Sequence, residues 1–284
     1  MGNKALPWWG KIGAKLVLSR IPFGYGLWQR LGLFRHGAMD TASYALSVFD
    51  THVARAGLRG SLEGRTIIEL GPGDGLATAA IAASFGARAI LVDTGDYANK
   101  DLGRYVALSE TMNANGIDAP DFSECKTVEA FLNRCGASYL TKGLDSLRQL
   151  PSGISDLIFS QAVLEHVRKA DFAATMSECR RLLKHGGAFS NQVDLQDHLG
   201  GSLNNLRFTN RVWESKFFSS SGFYTNRIRF NSMMQAFSSA GFNVETVETT
   251  SWQSLPIPKD KLDPEFRALT DSELCIHSFS VVLR

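Results

Sequence analysis

Beyond residue 64 the apolar positions fall into short runs separated by amphipathic stretches. Runs of strand character lie near 66–70, 89–93, 138–141, 155–160 and 187–193, with two more near 243–249 and 277–283. Between them, 76–85, 101–115, 126–135, 169–184 and 231–240 carry apolar residues at helical spacing. This alternation predicts an α/β domain with a mainly parallel sheet covered on both faces. Residues 1–64 read as a mostly helical extension, with turns at Pro7, Pro22-Phe23-Gly24 and Gly37. The stretch 195–230 also breaks the alternation, with turn residues at Gly200-Gly201, Asn204-Asn205 and Ser219 to Gly222. A long irregular connection inside a compact domain usually serves as a lid or binding loop.

The junction of the first strand and helix reads Glu69-Leu70-Gly71-Pro72-Gly73-Asp74-Gly75. A glycine-rich turn between a buried strand and a helix brings backbone N–H groups against a ligand with no side chain in the way. The dinucleotide fingerprint G-x-G-x-x-G would need glycine at 76, where Leu76 stands, so the pattern is E-x-G-x-G-x-G. The next apolar run, Ala89-Ile90-Leu91-Val92, ends in Asp93, 22 residues after Gly71. An acid at that distance is placed to grip ribose hydroxyls. After the fourth strand comes Ser160-Gln161-Ala162-Val163-Leu164-Glu165-His166-Val167.

The glycine pattern resembles motif I of the class I S-adenosylmethionine-dependent methyltransferases, and S-x-x-x-L-E-H-V resembles a segment common among their small-molecule members. The resemblance covers about 65–194 and 231–284. It implies a Rossmann-like, seven-stranded, doubly wound sheet with a helical N-terminal cap (1–64), a methyltransferase domain (65–284) and a lid insertion (about 195–230) after strand 5. It also implies S-adenosyl-L-methionine as cofactor, held by Glu69, Gly71, Gly73, Gly75 and Asp93, with Leu144 and Asp145 after the third strand and Gln161 after the fourth. Asp74 either meets the cofactor's ammonium or caps the following helix. Looser wording in the lid, D-L-Q-D-H … Y-T-N-R-I-R, is similar to bacterial methyltransferases associated with surface polysaccharide assembly.

Methylation of a hydroxyl calls for a base near the acceptor, and histidine titrates close to neutrality. His198, where the fifth strand gives way to the lid, and His166, after the fourth, are the alternatives. Asp197, Tyr224, Arg227 and Arg229 are the substrate candidates, since guanidinium forks suit carboxylate or phosphate. Within the lid, residues 199–230 hold five bases (Arg207, Arg211, Lys216, Arg227 and Arg229) against the single acid Glu214. Some relatives bind Mg²⁺ through E-x-x-E-H. Here Ala162 replaces the first Glu, and the two remaining ligands make a poor site for a hard cation, so no metal is expected.

Composition adds little beyond this. A formal net charge of +2 over 284 residues does not suggest a bulk polyanion partner, and no N/D-P-P-Y/F motif of base-modifying N-methyltransferases is present. Nucleic acid is therefore disfavoured, although an RNA methyltransferase using the basic lid is kept as a rival, as is a non-catalytic cofactor-binding subunit. The expected acceptor is a small molecule or sugar, acidic or phosphorylated if the lid arginines contact it. Residues 1–39 carry six bases, no acid and several aromatics. Such a segment suits a cap over the site or peripheral contact with anionic lipid. Four widely spaced cysteines and no spanning apolar stretch or signal peptide lead to an expected cytoplasmic location. Oligomeric state has no signature in the chain.

Overall fold

The computed structural model describes residue 10 and residues 41–284. Its centre is a seven-stranded sheet in the order β3-β2-β1-β4-β5-β7-β6. The strands are β1 (Thr66–Leu70), β2 (Arg88–Val92), β3 (Ser138–Leu140), β4 (Ser155–Gln161), β5 (Leu183–Asp194), β6 (Val244–Ser251) and β7 (Ile276–Leu283). β1 to β5 pair in parallel, and β7 runs antiparallel between β5 and β6. The order reverses between β1 and β4, which opens a crevice at their carboxyl ends.

Alternation along each strand divides the core. Ile67, Leu157, Phe159, Ala188 and Val282 face one layer, which contains α1 (Ala42–Arg55), α2 (Ala77–Ser84), α3 (Gly103–Ala114) and α4 (Val128–Arg134). Ile68, Ile158, Phe189 and Val281 face the other, built from α5 (Leu144–Gln149), α6 (Phe172–Leu182) and the helix Phe230–Ser239. α2 is rich in alanine and buried on nearly every side, so small side chains let it lie close to the sheet.

One feature departs from the sequence expectation. β5 begins four residues earlier than its apolar run, because the Lys184–Gly187 stretch forms an irregularity opposite Ser155 and Leu157. Within the expected N-terminal extension, Ala45, Val48, Phe49, His52 and Val53 of α1 recur at helical spacing and are buried in the core that packs on the sheet. The cap and membrane readings of residues 1–39 fall outside the described residues.

The 195–230 segment folds as short helical turns (Asn204–Arg207, Asn210–Trp213, Lys216–Ser219) around Trp213, Phe223 and Tyr224. It shares a further small core with the β6–β7 connection, where Leu203 and Leu206 meet Ile257, Leu262, Phe266 and Leu274. Among the described residues, no helix is long and apolar enough to cross a membrane.

Candidate active site

The glycine turn is shaped by two backbone requirements. Gly71 and Gly73 have φ of 66° and 62°, a region L side chains rarely adopt. A Cβ on Gly71 would lie 2.6 Å from Val163 Cγ2, so the turn packs directly on the loop that follows β4. Asp93 organises the turn from the next strand: its carboxylate accepts the N–H of Gly73 (3.1 Å) and of Thr94 (2.7 Å). The Asp93 carbonyl accepts the Gly143 N–H at 2.7 Å, which ties in the end of β3. Leu76 holds the N-cap position of α2 and makes no side-chain capping bond. The Leu76 N–H instead reaches the Tyr105 hydroxyl at 3.2 Å.

Beneath the turn, Glu69 is buried and its Oε2 has no hydrogen-bond partner. Burial pushes its pKa up to about 8, with the Asp93 charge adding to the shift. Leu144 opens α5 and is half-buried. Asp145 is exposed and pairs with Arg148 at 3.0 Å, so its carboxylate is engaged along its own helix.

β4 ends in a strained turn. Ala162 has φ of 54° and donates its N–H to the Gln192 carbonyl (2.8 Å). Gln161 does not stand alone: its Oε1 lies 3.1 Å from His52 Nε2, and His52 Nδ1 lies 2.8 Å from Ser190 Oγ. His52 is fully buried, and burial lowers its pKa to about 4.

His166 and His198, 32 positions apart in the chain, meet edge-on with ring centroids 4.7 Å apart and planes at 85°. His166 Nδ1 lies 2.8 Å from the Tyr224 carbonyl. A carbonyl oxygen only accepts, so Nδ1 carries a proton and the neutral ring keeps its lone pair on Nε2. Glu165, the chain neighbour of His166, is buried. Its Oε1 accepts the Asp194 N–H at 3.3 Å, its Oε2 has no partner, and burial pushes its pKa up to about 8. Among the described residues, no group of three or more His, Cys, Asp or Glu is arranged to hold a metal ion.

The four lid candidates lie inside the frame of the lid. Asp197 is buried and accepts the Leu199 N–H (2.9 Å) and the Asn204 side-chain amide (3.0 Å). Arg227, itself at φ 59°, lies between the rings of Trp213 and Phe266 and donates to Asn205 O, Phe208 O and Asn210 Oδ1. Arg229 donates to the carbonyls of Leu195 (2.8 Å), Leu274 (3.0 Å) and Ile276 (2.6 Å). The Tyr224 hydroxyl donates to Glu214 (2.8 Å) and accepts the Lys169 N–H. These placements favour structural roles over contact with an acidic substrate, because buried guanidinium groups take the main-chain acceptors nearest them.

Sequence reasoning missed His52, Tyr105 and Asn226. Asn226 is buried, and its amide donates to Leu164 O (2.7 Å) and Val167 O (2.9 Å) while its N–H reaches Glu165 O. His52 occupies an apolar-face position of α1, and nothing in its spacing sets it apart from a core residue.

Among solved structures, the chain is similar to an S-adenosylmethionine-dependent methyltransferase from Mesorhizobium loti, at 19% identity over 81% of this chain and 95% of that one, TM-score 0.45. It is also similar to magnesium protoporphyrin IX methyltransferase from Synechocystis with bound SAH, at 14% identity over 96% and 98%, TM-score 0.47. The putative methyltransferase in complex with the Trm112 activator from Haloferax volcanii is 18% identical over 87% and 95%, TM-score 0.43. No curated protein matches the chain. A family model described as a methyltransferase domain matches residues 42–247, from the start of α1 into β6. The chain belongs to the methyltransferase domain family.

Proposed function

We propose that this methyltransferase moves a methyl group from S-adenosylmethionine to a hydroxyl of a small molecule or sugar. The residues at the crevice fit that donor: a turn free of side chains at Gly71 and Gly73, a buried Glu69 with an unpartnered oxygen, and Asp93 at the end of β2. When bound, the cofactor supplies an electrophilic methyl on a sulfonium. Gly71, Gly73 and Asp93 orient it, and the packed loops exclude water. The acceptor hydroxyl loses its proton to His166 Nε2 as its oxygen forms the new bond to carbon and the carbon–sulfur bond breaks.

The observation that carries this reading is the contact of His166 with His198 at the carboxyl ends of β4 and β5. Two imidazoles together, one with its tautomer fixed by Tyr224 O, suit proton removal from an alcohol. The RNA alternative loses support because Arg227 and Arg229 are buried and bonded to neighbouring protein groups, leaving fewer lid bases for phosphate. A cytoplasmic site of action and a link to surface polysaccharide belong to the same proposal.

The deciding experiment offers methyl-labelled S-adenosylmethionine and purified protein to fractionated extract. Label is expected in a hydroxyl-bearing small-molecule or glycan fraction. Label confined to RNA, or no transfer despite cofactor binding, would refute it in favour of the RNA or non-catalytic reading respectively.

A further inference from the structure

The geometry points to His52, on the helix that precedes the first strand, as a positioning residue that fixes the Gln161 side-chain amide with its N–H₂ edge toward the methionine carboxylate of the bound cofactor. This inference rests on the methyl-donor reading above.

β1 and β4 pair in parallel with Leu70 opposite Ser160. Gln161 therefore stands alongside Gly71, at the head of the crevice. Phe159, Gln161 and Ser190 share the sheet face that α1 covers, and the His52 ring lies over Phe159 with centroids 4.8 Å apart and planes at 24°. The ring is pinned by this stacking and by a polar partner on each nitrogen, at 2.8 and 3.1 Å.

One arrangement of protons satisfies the whole chain of contacts. The Ser190 hydroxyl donates to Nδ1, and Nε2–H donates to Gln161 Oε1. A charged ring would have two donors facing these groups, and burial opposes that charge. With the Gln161 carbonyl taken, its amide cannot rotate without losing this bond. The opposite edge of the planar amide carries two N–H donors and no acceptor. Such an edge selects a carboxylate over an ammonium.

The test compares two ligands by calorimetry: S-adenosylhomocysteine, and 5′-methylthioadenosine, which keeps the nucleoside and sulfur but lacks the amino-acid end. His52→Phe, which keeps a ring over Phe159, should weaken S-adenosylhomocysteine about tenfold and leave methylthioadenosine within about twofold. His52→Gln, which offers an N–H near the Nε2 position, should restore most of the loss. Gln161→Ala should reproduce the selective loss, and adding His52→Phe to it should cost nothing more. Equal weakening of both ligands, or additive losses in the double variant, would reduce His52 to a packing residue and overturn the inference. Should His52→Phe fail to fold, Ser190→Ala removes the hydroxyl at the other ring nitrogen. It should weaken S-adenosylhomocysteine selectively by about threefold, and no selective change there would equally overturn the inference. A parent protein that binds neither ligand would refute the methyl-donor reading instead.

Discussion

His166 and His198 present their imidazoles edge to face, 4.7 Å between ring centroids. On the proposed function, the two touching rings serve a single proton transfer and not two separable ones. His166→Ala should lower kcat by roughly 10²–10⁴ and leave S-adenosylhomocysteine affinity unchanged. His198→Ala should lower it as well, and the double variant should fall little further. Steady-state rates with the identified acceptor check this. Multiplying losses would mean the two rings serve independent steps.

Gly73 donates its N–H to Asp93 from a left-handed backbone. In Gly73→Val a β-branched residue would carry strain of about 1–3 kcal/mol and stand where the cofactor approaches. Calorimetry should find cofactor binding abolished, and retained affinity would place the ligand elsewhere.

Arg229 joins the start of the lid at Leu195 to Leu274 at the end of the β6–β7 connection and to Ile276 at the start of β7. Arg229→Met should cost about 3 kcal/mol, because three carbonyls lose a buried donor. Arg229→Lys should recover only part, since one ammonium cannot span the fork. Urea unfolding of the two variants reads the difference. A neutral Arg229→Met would mean that water or a neighbour satisfies those carbonyls.

Glu165 titrates near 8 in the fold against 4.5 for the free side chain, chiefly through burial. Between those values the native protein keeps a proton that the unfolded chain has lost. Stability therefore falls as pH rises through that window and levels off above it. Glu165→Gln removes this term, so the variant should gain stability relative to its parent between pH 5 and pH 9. Parallel denaturation curves at the two pH values test it, and an unchanged difference would show a carboxylate already ionised at the lower pH.

Ala162 occupies the place where metal-dependent relatives would carry a carboxylate, leaving Glu165 and His166 behind it. Activity should survive dialysis against EDTA. Loss that is restored by Mg²⁺ alone would assign the pair a coordinating role.

The sheet was legible chiefly because β1, β2 and β4 are nearly continuous apolar runs, the first two ending at glycine and acid signals. The Gly71–Gly75 turn and Asp93 could be placed beforehand for that reason, and the structure joins them through the Gly73 N–H. The lid was legible only in extent. Arg227 and Arg229 look like anion ligands in a linear chain, because sequence does not show that a cation is buried among carbonyls. Likewise, α1 reads as part of an extension. Its apolar spacing does not say which surface it covers, and so the His52 contacts went unseen. The meeting of His166 and His198 depends on the curl of two loops at neighbouring strand ends, a tertiary fact that no local pattern encodes.

Asn226 grips the carbonyls of Leu164 and Val167 with one amide, and its neighbour Arg227 is wedged between Trp213 and Phe266. The stem of the insertion and the imidazole-bearing loop after β4 are thereby one mechanical piece. On the proposed function, an acceptor held by the outer turns of the insertion would act on His166 through this clamp, without any rearrangement of the sheet. Natural exchange of acceptors in such a scaffold would run through the turns outside that clamp, where side chains change without loosening the grip.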